Sequence, residues 1–359
     1  MFVNSKARTW TCSSTVDVEI DSFHRSLPGY SQTPLLDCSS ITELALKNVF
    51  LKDESARMGL PAFKILGASW ATYKAITKLL QLPLTANVQA VKDGIAQKHE
   101  GLTLFAATEG NHGRAVAKMA SLLGIQSQIF VPQYLNKSTR NLIENEGGNV
   151  VVVPGDYNEA VLRAKNTAHE IGINGLLIQD TAFDGYEDIP QWIVDGYSTM
   201  MHEADSQIYS ITQAQPNVIV VPVGVGSLAQ SVVTHYKSRG HPCTIIAVEP
   251  ESANCLQMSL ESGALTSVST KDTIMCGLNC GTVSSIAWPV LRNGVDVSVC
   301  VTDAEAHESL LQLKECQAVI GPCAAATLAA LKKVAPRLDK NAVVLLLGTE
   351  GIRDYEVPT

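Results

Sequence analysis

Lys64 is the first residue whose surroundings could support chemistry. It lies among apolar and small residues, in the run Phe63-Lys64-Ile65-Leu66-Gly67. Because apolar neighbours disfavour the charged ammonium, such a lysine releases its proton more readily and can form a Schiff base with a carbonyl group. A lysine whose stem packs on apolar residues while its ammonium reaches water fits the same run of residues.

A second segment follows an apolar run and precedes a helical one: Thr108-Glu109-Gly110-Asn111-His112-Gly113. Glycines allow a ligand to approach the backbone closely, and the free N–H groups of a first helical turn attract an anion such as a carboxylate. An amino-acid substrate would fit this geometry. An ordinary strand-to-helix turn capped by Asn111 is the alternative, and His112 is not predicted to be a catalytic base.

Two further segments follow apolar strands. Gly224–Ser227 opens a helix, where backbone N–H groups and the helix dipole favour a phosphate. The same segment begins a G-x-G-x-x-A pattern with Glu249 about twenty residues further on, so it also predicts a dinucleotide site. Thr349 follows the last apolar strand, where its hydroxyl could bond a heterocycle nitrogen or cap a turn.

Composition limits the classes of function that these segments could serve. The 359 residues are 46% hydrophobic and 17% charged, which is typical of a folded protein. A net charge of −8 disfavours nucleic acid or an anionic membrane surface as partner. The longest apolar runs are too short to cross a bilayer. We therefore expect a small-molecule substrate.

The start of the chain and the cysteines bear on the compartment. Met1–Thr11 lacks the apolar core of a secretory signal, because Lys6 and Arg8 interrupt it. The nine cysteines form no CxxC pattern, which is typical of reduced thiols inside the cell. A cytoplasmic protein is expected, with an organellar presequence as the alternative.

Strand-like and helix-like segments alternate from about Val49 to the end of the chain. This alternation is typical of an α/β fold with mostly parallel sheets, and two sheets are expected. The predicted strands are 102–107, 128–131, 150–153, 176–179, 217–223, 244–248, 295–301 and 342–347. The predicted helices are 113–123, 136–146, 158–170, 186–204 and 324–333. The polar stretch 82–101 is interpreted as an insertion or a crossover.

In their order along the chain, the four segments resemble the fold-type II pyridoxal-phosphate family, which has the tryptophan synthase β-like fold. This family includes serine and threonine dehydratases and serine racemase. The chain looks most like the diaminopropionate ammonia-lyases within it. The similarity rests on nine motifs in register: Phe23–Tyr30, Thr33–Leu35, Lys52–Ser55, Phe63–Gly67, Gly110–Gly113, Gln179–Phe183, Ile189–Ile193, Thr273–Gly281 and Thr349–Gly351.

The resemblance implies pyridoxal 5'-phosphate as the cofactor and gives roles to the matching residues. Lys64 would be the Schiff-base lysine, Asn111 the partner of the cofactor's ring hydroxyl and Thr349 the partner of its pyridine nitrogen. A neutral hydroxyl opposite that nitrogen is associated in this family with elimination and replacement at the β carbon. The cofactor phosphate would be held by Gly224, Val225, Gly226 and Ser227. The substrate would be held by Thr108, Gly110, Asn111 and His112.

Glu109 and Asp180 match two acidic positions at which the ammonia-lyases transfer protons. The family pattern has Asp where this chain has Glu109, and the extra methylene moves the carboxylate by about 1.5 Å. A shift of that size matters for proton transfer, so this departure puts in doubt the family's acceptance of both enantiomers and its substrate.

The resemblance also implies how the molecule is organised. Two interleaved domains are expected: a large cofactor-binding domain of residues 1–102 and 180–359, and a small mobile domain of residues 103–179 that closes over the substrate. A homodimer is expected. No metal is predicted, because Cys276 and Cys280 lack two further ligands. Cys255 and Cys280 could lie near each other in this fold, and whether they pair stays open.

The predicted function is a β-elimination that depends on pyridoxal phosphate. A small amino acid such as 2,3-diaminopropionate would give a 2-keto acid and ammonia, with Lys64 exchanging the α proton and Glu109 or Asp180 as second acid or base. A β-replacement synthase of a specialised amino acid, which Glu109 motivates, and a serine or threonine dehydratase are the alternatives with the same cofactor. An NAD-binding oxidoreductase built on Gly224–Ala229 and a non-catalytic cofactor-binding protein belong to different classes.

Overall fold

A computed structural model describes residues 1–14 and 16–358, and its strands form two β-sheets. Most strands are short apolar runs, and three of them, β4, β8 and β11, are buried along their whole length. In chain order the strands are β1 (Phe2–Val3), β2 (Leu35–Asp37), β3 (Asn48–Asp53), β4 (Thr103–Ala107), β5 (Gln126–Pro132), β6 (Asn149–Val153), β7 (Gly175–Leu177), β8 (Val218–Pro222), β9 (Thr244–Pro250), β10 (Val297–Val301) and β11 (Val343–Gly348).

The larger sheet has seven strands in the order β1-β10-β9-β8-β11-β3-β2. The five inner strands run parallel to one another. The edge strands are antiparallel to their neighbours: β1 to β10, and β2 to β3. The smaller sheet has the order β6-β5-β4-β7, and its strands are all parallel. These two sheets confirm the expected α/β class with mostly parallel strands.

Alternate residues of one strand point to opposite sides of the sheet. Both faces of the larger sheet are therefore apolar, and helices pack on each of them. In β11, Leu345 and Leu347 enter one apolar core, while Val344 and Leu346 enter another. The helices are α1 (Ile20–Ser26), α2 (Lys64–Leu80), α3 (Val88–Lys98), α4 (Asn111–Leu123), α5 (Lys137–Asn145), α6 (Tyr157–Ile171), α7 (Asp188–Gly196), α8 (Ser198–Thr212), α9 (Ser227–Lys237), α10 (Cys255–Ser262), α11 (Trp288–Gly294), α12 (Asp303–Glu315) and α13 (Pro322–Val334).

Two glycines let helix α2 and helix α7 pack closely. A Cβ added to Gly67 would lie 2.7 Å from the carbonyl oxygen of Ile193, and one added to Gly196 would lie 2.6 Å from that of Leu66. Atoms that close repel one another, so only glycine fits at either position. This contact fixes the start of α2 against the interior of the fold.

The predicted elements agree with the structure mainly in its parallel strands. The eight predicted strands are β4 to β11, each within two residues of its expected bounds. The predicted helix 186–204 is two helices, because at Tyr197 the backbone N–H bonds the carbonyl three residues back, on Val194. The stretch 82–101 contains helix α3, which is capped by Asn87.

The smaller sheet is built from strands that lie between Thr103 and Leu177. The division into a large domain and a small domain that closes over the substrate stays a prediction. Among the described residues, no helix is long and apolar enough to cross a membrane.

Candidate active site

A cavity of about 830 Å³ lies where several parallel strands end. Its wall includes the residues that follow the carboxyl ends of β4, β7, β8 and β11, which is where open α/β sheets bind ligands. Every site residue expected from the sequence lies on this wall: Lys64, Thr108, Glu109, Gly110, Asn111, His112, Asp180, Gly224, Val225, Gly226, Ser227 and Thr349.

Lys64 and Asp180 form an ion pair inside the cavity. Lys64 is the first residue of α2, and its Nζ lies 2.8 Å from Oδ2 of Asp180, which follows β7. Withdrawal from water alone would lower the pKa of Lys64, but the Asp180 carboxylate outweighs this effect and raises the pKa above its ordinary value. The same ion pair holds the pKa of Asp180 well below its usual range, although burial acts in the opposite direction.

His112 lies beside this pair and is almost fully buried. Its Nε2 is 2.8 Å from the carbonyl oxygen of Ile178, so Nε2 carries the proton and donates it. Its Nδ1 is 3.9 Å from Oδ2 of Asp180 and has no hydrogen-bond partner among the described residues. Burial lowers the pKa of His112, which keeps the ring neutral near pH 7.

Thr108 shapes the loop between β4 and α4. Its Oγ1 accepts hydrogen bonds from the backbone N–H groups of Gly110, at 2.9 Å, and Gly113, at 3.0 Å. Gly110 has φ +155°, which few residues with a side chain adopt, and Asn111 follows it as the first residue of α4. The hydroxyl of Thr108 therefore holds the loop itself, so its substrate-binding role stays a prediction.

Glu109 lies at the mouth of the cavity rather than against Lys64. Its Oε1 accepts a hydrogen bond of 2.5 Å from the hydroxyl of Tyr134, a residue that sequence reasoning missed. Tyr134 follows the carboxyl end of β5, just as Thr108 follows β4. Applying the same strand-end rule to β5 would have found it.

The Gly224–Ser227 loop joins β8 to α9. Gly226, at φ +94°, caps α9 without a side-chain hydrogen bond, which leaves the backbone N–H groups of the first turn available. A Cβ on Gly224 would lie 3.1 Å from the carbonyl oxygen of Gly277, so a side chain there would require the neighbouring backbone to shift. The hydroxyl of Ser227 donates to the carbonyl of Asp180 at 3.0 Å. Backbone groups are thus the available donors for a phosphate.

Glu249 does not serve this loop, contrary to the dinucleotide interpretation. Its buried carboxylate accepts hydrogen bonds from the backbone N–H groups of Leu256, at 2.7 Å, and Gln257, at 2.8 Å. Burial raises the pKa of Glu249 to about 7, against the effect of those two bonds. Because the carboxylate caps the start of α10, it is not available to a ribose.

Further charged and polar side chains on the wall were not anticipated. Tyr157 and Asp156 follow the carboxyl end of β6, so the strand-end rule again applies to them. Arg353 lies in the tail after β11, where no pattern in the sequence pointed to the cavity. All nine cysteines are unpaired, including Cys255 and Cys280.

The comparisons with known proteins agree with this geometry. The family model described as "Pyridoxal-phosphate dependent enzyme" matches residues 27–350. The chain belongs to this family. Pyridoxal phosphate is therefore its cofactor, and the resemblance inferred from the motifs is confirmed.

Relatives within the pyridoxal-phosphate dependent enzymes cover most of the chain. It is 35% identical to the diaminopropionate ammonia-lyase of Salmonella typhimurium over 307 residues, which are 83% of this chain and 75% of the relative. It is 31% identical to the Escherichia coli protein of the same name over 355 residues, 93% and 88% of the two chains. The crystal structure of diaminopropionate ammonia lyase from Escherichia coli in complex with D-serine matches with a TM-score of 0.88 and 29% identity, covering 98% of this chain and 93% of that one.

The residues present fit this cofactor. Lys64 offers an amine that could bond an aldehyde, and the uncapped start of α9 offers backbone donors for a phosphate. Both face one cavity, together with the hydroxyl-bearing Thr349 after β11. The amine, the backbone N–H groups and the hydroxyl thus match the cofactor's aldehyde, phosphate and ring nitrogen, respectively.

Proposed function

We propose that this protein is an ammonia-lyase that removes the β-amino group of a small diamino acid such as 2,3-diaminopropionate. With one water, this substrate gives pyruvate and two ammonia molecules, so the atoms balance. The similarity to relatives named diaminopropionate ammonia-lyase supports the reaction class.

The charge of the cavity wall is the observation that carries the choice of substrate. Among the described residues of this wall, five carboxylates stand against two cations, Lys64 and Arg353. This surplus of negative charge favours a substrate with an ammonium on its side chain over one with a neutral hydroxyl, such as serine or threonine. The five acidic residues are Glu109, Asp156, Asp180, Asp272 and Glu350.

Pyridoxal phosphate, when bound, supplies an aldehyde and an electron-withdrawing ring that stabilises negative charge at the substrate's α carbon. The backbone N–H groups of Gly224–Ser227 would hold its phosphate, and the hydroxyl of Thr349 would pair with its ring nitrogen. Asn111 is the proposed partner of its ring hydroxyl.

Lys64 and Asp180 are the proposed proton-transfer residues. The amine of Lys64 exchanges the α proton, and Asp180, 2.8 Å away, is the second acid or base. Glu109 is the weaker candidate for that role, because Tyr134 holds its carboxylate at the mouth. Thr108, Gly110, Asn111 and His112 border the place where the substrate would lie.

Two properties of the whole molecule belong to the same proposal. The protein acts in the cytoplasm, which the nine unpaired cysteines support because exported proteins tend to pair theirs. It forms a homodimer, as the family resemblance implies. Light scattering coupled to size-exclusion chromatography tests the dimer, and a single species with the mass of one chain would contradict it.

The test of function is an assay of the purified holoenzyme with L- and D-2,3-diaminopropionate, serine and threonine. We expect pyruvate and ammonia in a ratio of one to two from diaminopropionate, and loss of both products in Lys64→Ala. Keto acid from serine or threonine alone would indicate a dehydratase. A new amino acid, formed when thiols or amines are added, would indicate a β-replacement synthase.

A further inference from the structure

His112 carries an acceptor atom that no described residue uses. Its Nε2–H is engaged by the carbonyl of Ile178, so in the neutral ring Nδ1 has only a lone pair to offer. A buried acceptor without a donor is costly, and in an active site it points to a ligand that supplies the donor. His112 is 5% exposed and lines the cavity.

A second acceptor lies next to it. Oδ2 of Asp180 is 3.9 Å from Nδ1 of His112, too far for a hydrogen bond between them. The ammonium of Lys64, 2.8 Å from the same oxygen, shows that a primary amine fits at this carboxylate. A carboxylate oxygen has two lone pairs and accepts more than one hydrogen bond, so Oδ2 can accept from a substrate amine as well as from Lys64.

We propose that Nδ1 of His112 and Oδ2 of Asp180 form a two-acceptor subsite that binds the β-ammonium of the substrate. The proposal rests on the function proposed above and assigns the recognition of the leaving group to a named pair. An ammonium has three N–H donors, and two of them would satisfy the two acceptors.

The subsite also prepares the amine to leave. Asp180 favours the charged ammonium over the neutral amine, because an opposite charge stabilises it. After the α proton has been removed, the bond between the β carbon and nitrogen breaks, and its electron pair stays with the nitrogen. The group departs as neutral ammonia, so no further proton donor is needed. A hydroxyl leaving group would instead need a proton from an acid.

The test compares substrates that differ only in the leaving group. In His112→Phe, which lacks both ring nitrogens, we expect kcat/KM for 2,3-diaminopropionate to fall by about 10- to 100-fold, as for a lost hydrogen bond to a charged group. With β-chloroalanine, which releases chloride and has no β-ammonium, we expect a clearly smaller loss in the same variant, so the ratio of kcat/KM for the two substrates should change. His112→Gln keeps a donor for the Ile178 carbonyl and separates that structural role from the role of Nδ1.

A binding measurement gives a readout independent of turnover. Holoenzyme is titrated with 2,4-diaminobutyrate and with norvaline, which has a methyl in place of the ammonium, and the cofactor absorbance reports the Kd. The wild type should prefer the diamino acid, and His112→Phe should lose most of that preference. An equal loss with both substrates, or an unchanged Kd ratio in the variant, would overturn the subsite. A wild type that is inactive on diaminopropionate but active on β-chloroalanine would instead refute the proposed function.

Discussion

At the scale of single residues, Lys64 and Asp180 set each other's protonation state across 2.8 Å. The amine must be neutral to attack an aldehyde, yet the carboxylate raises its pKa and keeps it charged. The same carboxylate is also the proposed acid-base partner of Lys64 in catalysis. One residue therefore both restrains and activates the lysine.

Asp180→Asn is predicted to separate these two effects. Removing the negative charge leaves withdrawal from water as the largest influence on the pKa of Lys64. Because this influence lowers the pKa, the pH midpoint for cofactor capture by apoenzyme should fall. Turnover should drop by about 100-fold or more, because the acid-base partner is lost. The rate of cofactor capture, followed by absorbance across pH, gives the midpoint. Asp188→Asn, at an exposed ion pair, is the control; a midpoint unchanged in Asp180→Asn would contradict the prediction.

The positions of the site residues could be read from the sequence, but their mutual contacts could not. Lys64 and the glycine loops stand out because type and spacing signal chemistry locally. The bond between Tyr134 and Glu109 joins the ends of two strands, and that between Ser227 and Asp180 joins two different sheets. Such contacts depend on how distant segments pack, which local patterns do not encode.

At the scale of elements, the packing of α2 on α7 positions the start of α2, where Lys64 lies. The backbones of the two helices approach at Gly67 and Gly196, where a methyl group would meet a carbonyl oxygen. A backbone oxygen cannot rotate away as a side chain can. The geometry of Lys64 therefore depends on two glycines that do not touch the cavity.

Gly196→Ala is predicted to destabilise the fold by about 1–3 kcal/mol, as overpacking does, and to weaken cofactor retention. Thermal unfolding and cofactor absorbance after dialysis measure the two effects. Gly94→Ala in α3 is the matched control, since its methyl would meet the movable end of Leu80 and alanine favours a helix. Equal melting temperatures for the two variants would refute the special role of this contact.

Element boundaries follow from the sequence only where local signals dominate. The parallel strands β4 to β11 could be predicted because a short, continuous apolar run bounded by turn residues is typical of a strand buried on both faces. The parallel strand β3 was missed, because its apolar run is only three residues long between Asn48 and Lys52. The edge strands β1 and β2 could not, because two or three residues are too few to show a pattern and their place is set by pairing with β10 and β3. Helix α3 lies in the stretch interpreted as an insertion, although Asn87 offers the N-cap that predicts a helix there.

At the scale of the whole molecule, a buried cluster of charges ties helix α8 to strand β3. Glu203 of α8 accepts from Arg57 at 2.8 Å through each of its oxygens and pairs with Lys52 of β3, also at 2.8 Å. Glu54 supplies the second negative charge, 2.6 Å from Arg57. Two buried cations are thereby matched by two carboxylates, and removing one carboxylate would leave a buried positive charge unpaired.

The stability of the molecule is therefore predicted to depend on pH through Glu203. Burial would raise the pKa of this carboxyl, but Arg57 and Lys52 lower it to about 2 from an ordinary 4.5. A lowered pKa means that the stabilisation is complete above about pH 4.5 and is lost as the pH falls towards 2. Glu203→Gln should thus cost about 3–5 kcal/mol at pH 7, and its deficit should shrink at pH 3.

Urea unfolding at several pH values measures this deficit relative to the wild type. Glu308→Gln is the control, because Glu308 is exposed and its pairing with Lys332 contributes little, so its effect should stay within about 0.5 kcal/mol. Both variants replace a carboxylate with an amide, so any difference between their effects on stability reflects the burial of the charge. A deficit of Glu203→Gln that is equal at pH 3 and pH 7 would mean that its carboxylate is not the group that the two cations stabilise. The link between α8 and β3 would then depend on packing and on other contacts, such as the hydrogen bond from Lys52 to Gln207.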